Sequence, residues 1–163
     1  LYAGLMMTAD GPKVLEYNCR LGDPETQRLI LRLRSDLVDL CEAALDGRLG
    51  EIAADWDSRP ALGVVMTAAG YPSAYRKGDV IAGLLDREGE LEPGVKLFHA
   101  GTAQTQNGEV VTHGGRVLCA TALGGTVAEA QRSAYQLAKQ VHWDGAYYRT
   151  DIGYRAIARE RGK

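Results

Sequence analysis

Glycine punctuates this chain, and that habit narrows the fold more than any other feature. Of 163 residues, 20 are Gly, and many stand at turns between short apolar runs of strand length. Glycine costs stability inside a helix but is favoured where a turn needs positive φ. The pattern therefore describes a turn-rich sheet domain, not a helix bundle. Tyr2 to Thr8 and Lys13 to Asn18 read as two strands, and Asp10-Gly11 between them is a strong hairpin signal. The first strand stands at the very edge of the chain, so its sheet is expected to continue into preceding sequence. Further strands are expected at Ala61 to Ala68, Asp79 to Leu84, Val95 to Gly101, Glu109 to Thr112 and Arg116 to Leu123.

Helical signals fall between these runs. Asp23-Pro24-Glu25 reads as a helix start, with Asp as the cap, Pro in the first turn and Glu25 complementing the dipole. The apolar stretch Leu29 to Leu33 follows. Ser35-Asp36 opens a second helix carrying Leu37, Leu40, Cys41, Ala44 and Leu45, with Gly47 as its stop. This helix is expected to cover the hairpin or a neighbouring sheet face. Gly50 to Arg59 is polar and reads as a domain linker. Thr126-Val127-Ala128-Glu129 is a capping box, and Val127, Ala130, Ala134, Leu137, Ala138 and Val141 form one stripe that should pack on a sheet.

Composition excludes several functions. Hydrophobic residues at 45% and charged residues at 25% describe a chain able to form a core. Lys and Arg number 19 against 21 acidic residues, a net charge of −2, so there is no basic footprint for nucleic acid. No apolar run approaches the ~20 residues of a membrane span. The opening Leu1-Tyr2-Ala3-Gly4 lacks a cationic signal region. Cys19, Cys41 and Cys119 show no Cys-x-x-Cys spacing, which favours a reducing compartment, and the cytoplasm is expected.

The chemistry concentrates between Val14 and Gln27. Alternation along a strand places Val14, Glu16 and Asn18 on one face and Leu15, Tyr17 and Cys19 on the other. A carboxylate and an amide oxygen two residues apart can converge on one hard cation, and Mg²⁺ takes few protein oxygens beside water and phosphate. Arg20 follows, able to hold phosphate or carboxylate bidentately. Glu16, Asn18, Arg20, Asp23 and Glu25 bunch where a strand ends and a helix begins, the place where α/β sheets bind ligands. Cys19 reads as a small core residue. Lys77 and Arg116 read as solvated turn charges, with reach to a substrate phosphate as the alternative, and His99 and His113 as ordinary hydrogen-bonded histidines.

The run Val14-Leu15-Glu16-Tyr17-Asn18-Cys19-Arg20-Leu21-Gly22-Asp23-Pro24-Glu25-Thr26-Gln27 resembles the segment closing the ATP-grasp domain of the phosphoribosylamine–glycine ligase family. Ser35-Asp36-Leu37, Gly70-Tyr71-Pro72, Tyr75-Arg76-Lys77-Gly78-Asp79, His99-Ala100-Gly101-Thr102, Gly114-Gly115-Arg116-Val117-Leu118, Trp143-Asp144-Gly145, Tyr148-Arg149 and Asp151-Ile152-Gly153-Tyr154 also fit that family, in order along the chain. The resemblance implies an α/β (α+β) architecture: residues 1–55 closing an ATP-grasp domain, and residues 56–163 forming a small, mainly antiparallel sheet domain with a packed C-terminal helix. It implies a C-terminal portion of a ligase joining glycine to phosphoribosylamine with ATP as co-substrate. By position Glu16 and Asn18 match the family's Mg²⁺ or Mn²⁺ ligands; by inference from charge, Arg20 would stabilise the acyl phosphate or the transferring phosphoryl group, and Asp23 is a candidate for orienting the amine. The implied partners are glycine, phosphoribosylamine, ATP and the enzyme's remaining domains. The family's lid and phosphate-binding lysines lie upstream of this segment, so the fragment alone is expected to be inactive. Tyr2 to Thr8 adds no carboxylate, which leaves half a metal site. A different ATP-grasp ligase or carboxylase, or a non-catalytic sheet or carrier module, stands as the alternative. Lys77 lacks the Met flank of a carrier lysine.

Overall fold

Two separate antiparallel systems carry the structure, a computed structural model that describes residues 2–84 and 91–162. The first is the expected hairpin, β1 (Tyr2–Thr8) against β2 (Gly11–Asn18). Gly11 takes φ 98° in the turn, a conformation that favours glycine. The second is a three-stranded sheet of order β3-β7-β4, with β3 at Ala61–Thr67, β4 at Val95–His99 and β7 at Arg116–Leu123. A small ladder of β5 (Thr102–Gln104) and β6 (Val110–Thr112) lies beside it.

β7 is central, and its composition shows why. Val117 to Leu123 are all buried, so the strand needs apolar or small side chains on both faces. Leu118, Ala120 and Ala122 pair with Met66, Val64 and Leu62 of β3, which puts these six on one face. Against that face packs α3 (Val127–Gln140), burying Ala130, Ala134, Leu137 and Ala138. Small residues on both sides let helix and sheet approach closely. The Thr126 hydroxyl accepts the Glu129 N–H at 3.1 Å, as the capping box requires. A second acceptor comes from α4 (Tyr154–Arg161), whose Glu160 carboxylate takes the Val127 N–H at 2.9 and 3.1 Å. The other sheet face carries Gly63, Cys119 and Thr121, and α1 (Glu25–Arg32) covers it. A Cβ on Gly63 would stand 3.6 Å from Arg28 Cγ and 3.0 Å from Cys119 Sγ, so the missing side chain makes room for the helix. The result is three layers: helix, sheet, helix.

Several expectations need correction. α2 (Leu37–Leu45) is capped by Asp36, which accepts the Val38 N–H at 2.7 Å, but it covers neither hairpin nor sheet. Ala43 is its one buried residue; α1, not α2, is the covering helix. The polar stretch before β3 is not a loose linker. Asp57 is buried, paired with Arg59 at 2.7 Å and Arg34 at 3.2 Å, and its carbonyl accepts two N–H bonds from Arg32. Charge there serves a tie to the end of α1, not solvation. Asp79 to Leu84 makes isolated bridges, Val80 to Val111 and Ala82 to His142, and no strand. Gly83 at φ 78° turns the chain there before a ladder can extend. Cys19 is exposed, because β2 ends at Asn18 and nothing packs over the next residue.

Candidate active site

The end of β2 and the start of α1 form one short junction, and its geometry follows from the hairpin register. Glu16 pairs with Gly4 and Asn18 with Tyr2, so Glu16 and Asn18 share a face, as expected. Val14 pairs with Leu5, leaving Leu15 as an extra residue in a bulge. The bulge flips the alternation, so Val14 lies on the face opposite Glu16, not on the same one. Its effect is local: it turns an apolar side chain away from the polar pair.

Tyr2 and Gly4 complete that face. Gly4 has no side chain to obstruct Glu16, whose Cγ would lie 3.0 Å from a Cβ there. The Tyr2 ring lies over Gly22, with its Cζ 3.3 Å from where a Cβ would stand, and the Glu25 carboxylate occupies the same space. Partial burial, then the charges of Glu25 and Glu16, hold the Tyr2 phenol above its ordinary value. Glu25 therefore stands in the same polar group as Glu16, a role its helix-start position did not reveal. Glu16 is exposed and Asn18 half-buried, so neither is sealed in apolar packing. Among the described residues no group of three or more His, Cys, Asp or Glu is arranged to hold a metal. A carboxylate and an amide oxygen on one accessible face nevertheless suit a hard cation that keeps water and phosphate as its other ligands. Arg20 is exposed and, among the described residues, donates only to the carbonyl of Leu21, at 2.9 Å.

Asp23 does not cap α1, as its place before Pro24 had suggested. Pro24 is the N-cap of α1, and no side chain caps the helix. The Thr26 N–H and hydroxyl instead both close on the Gly22 carbonyl, at 2.8 and 2.7 Å. The Asp23 carboxylate is drawn to Gln27, whose Nε2 donates at 3.3 Å, and to Arg116, whose Nε lies 3.4 Å away. Arg116 Nη1 also donates to the Asp23 carbonyl at 2.8 Å. Arg116 is thus a specific partner, not a solvated turn charge. Lys77 is exposed, its ammonium 6.0 Å from the Tyr75 ring centre. His99 is exposed and bonds Thr102 at 3.0 Å; His113 is exposed.

Beside this junction lies a cavity of about 570 Å³ between α1, β3 and the segments carrying Tyr71 and Tyr147 to Arg149. Pro24, Arg28 and Arg116 form the wall nearest Asp23. Gly115 has no Cβ, and the rings of Tyr71 and Tyr75 fill the space one would occupy. Arg76 ties the Tyr71 segment down by ion pairs to Asp79, at 2.8 Å, and to Asp144. Arg149 is already engaged by Asp151, at 2.8 and 2.6 Å. Sequence reasoning singled out Glu16, Asn18, Arg20 and Asp23 as candidates and gave no sign of the contacts that Tyr2, Gln27 and Arg116 make with this junction.

Comparison with known proteins defines the class. Residues 1–26 match the family model for the phosphoribosylglycinamide synthetase ATP-grasp (A) domain, and residues 61–155 match that for its C domain. The junction is thus the closing edge of an ATP-grasp domain, followed by the domain built on β7. Phosphoribosylamine–glycine ligase of Vibrio parahaemolyticus is 62% identical over 164 residues, covering 100% of this chain and 37% of the relative. The enzyme of that name from Pseudomonas putida is 62% identical over 100% of this chain and 37% of its own length. The crystal structure of phosphoribosylamine–glycine ligase from Thermotoga maritima superposes with a TM-score of 0.70 at 40% identity, covering 91% of this chain and 35% of that one. This chain belongs to the phosphoribosylglycinamide synthetase family. It spans 37% of the length of the curated relatives it matches.

Proposed function

We propose that the complete protein carrying this chain is an ATP-dependent ligase that joins glycine to 5-phosphoribosylamine. The observation that carries the reading is the shared, accessible face of Glu16 and Asn18 at a strand end, with Arg20 and Asp23 in the turn that follows. A glycine carboxylate oxygen attacks the γ-phosphorus of ATP, ADP leaves, and an acyl phosphate forms. The amine nitrogen then attacks the acyl carbon, phosphate leaves with the bonding pair, and the nitrogen loses its proton. Glu16 and Asn18 would hold Mg²⁺ or Mn²⁺, which neutralises and orients the β- and γ-phosphates when bound. Arg20 presents a fixed positive charge to the transferring phosphoryl group and the acyl phosphate. Asp23 accepts from the amine and orients it. Division of the chain near residue 55 puts α1 in the first domain, while its covering face packs on the sheet of the second. The joint is therefore a packed one.

Glu16→Gln in the complete enzyme should raise the Mg²⁺ concentration needed for glycine-dependent ADP release, and Glu16→Ala should abolish it. Normal turnover and metal dependence in both variants would remove the metal assignment. Arg20→Met should lower kcat by about 10²–10³-fold, the loss expected when one preorganised charge is removed from a transferring group.

A further inference from the structure

We propose that Gln27 and Arg116 are positioning residues that fix the Asp23 carboxylate where the amine substrate meets it. The inference rests on the reading of Asp23 as the group that orients that amine. Each carboxylate oxygen has its own holder: Gln27 Nε2 reaches Oδ1 at 3.3 Å, and Arg116 Nε reaches Oδ2 at 3.4 Å. Arg116 also donates to the Asp23 carbonyl at 2.8 Å, so main chain and side chain are held from one direction. A merely structural Asp at this position would cap α1, as Asp36 caps α2, yet Asp23 caps nothing. Its holders come from different places. Gln27 lies four residues on, within α1, whereas Arg116 enters from β7, 93 residues away.

Gln27 strengthens the case by its own cost. It is the buried residue of α1 at 9% exposure, and its Oε1 is buried with no hydrogen-bond partner among the described residues. An amide sealed in this way is unfavourable compared with an apolar side chain of similar size. Packing alone would favour leucine there. The one bond the amide makes goes to Asp23, and that bond is what leucine would lose. The Asp23 side chain itself remains 43% exposed, and its neighbours Pro24 and Arg116 line the cavity.

The test uses the complete enzyme with saturating ATP and glycine, and reads kcat/KM for the amine together with the melting temperature. Gln27→Leu should lower kcat/KM for the amine about tenfold, leave KM for ATP and glycine unchanged, and keep or raise the melting temperature. Arg116→Met should lower the same parameter by a similar factor. Combined with Asp23→Asn, neither change should add to the loss of Asp23→Asn alone, because both act through that carboxylate. Losses that multiply in the double variants would overturn the proposal, as would a Gln27→Leu enzyme that turns over the amine normally while Asp23→Asn is impaired. A silent Asp23→Asn would instead remove the role given to Asp23 and the positioning inference with it.

Discussion

The hairpin and the β3-β7-β4 sheet are both antiparallel, yet they differ in what covers them. β7 is sealed by α3 on one face and α1 on the other. The hairpin has two strands, and Leu5, Met6, Met7, Val14, Leu15 and Tyr17 stay exposed around it. A two-stranded ribbon is marginal in water without a third strand or a covering layer. Strand propensity is similar in the two regions, so the difference lies in packing. The polar groups assigned to chemistry sit at the end of the weaker element, and Arg116 ties them to the stronger one.

That contrast can be broken most directly from the core side. Leu118 is 0% exposed on the α3 face, and Leu118→Ala should destabilise this chain by about 2–5 kcal/mol in chemical denaturation. A loss under ~1 kcal/mol would mean that the sheet is not the unit that folds. A smaller effect is expected at the tie before β3. Hydrogen bonds from the Arg59 side chain and backbone, opposed by burial and helped by Arg34, hold the Asp57 carboxyl well below the usual carboxylate range. Its stabilisation is therefore present at neutral pH and is lost as pH falls below ~4 toward the folded value. Asp57→Asn should lower the melting temperature at pH 7, and the gap from the unsubstituted chain should close under acid. A gap that widens under acid would reverse the sign assigned here. Least of all, Met7→Thr on the hairpin, at a residue 72% exposed, should change stability by no more than about 0.5 kcal/mol. A large loss there would show that the hairpin is packed after all.

Local patterning carried much of this fold. β7 matches its apolar run at both ends, α3 follows its capping box and stripe, and Asp10-Gly11 marks the hairpin turn. The Glu16–Asn18 relationship was legible for the same reason, since the two stand two positions apart on one strand, with Tyr17 between them. What periodicity could not report was partnership across the chain. The charges around Asp57 look like solvated linker until Arg32 and Arg34 are brought to them. Arg116 looks like a turn cation until α1 delivers Asp23. The bulge at Leu15 was hidden as well, because it depends on how β1 meets β2 and not on either strand alone. No helix among the described residues is long and apolar enough to cross a membrane.

The bare backbone at Gly115 has a consequence for the shape of the cavity beside it. Its φ is not in the left-handed region, so a methyl group could be added without backbone strain, and the atoms it would strike belong to the Tyr71 and Tyr75 rings. Those rings stand at the protein's surface, where they can swing aside, while the strands beneath keep their register. One carbon at this position would therefore displace the Tyr71 ring, which lines the cavity, and reshape that hollow from its rim.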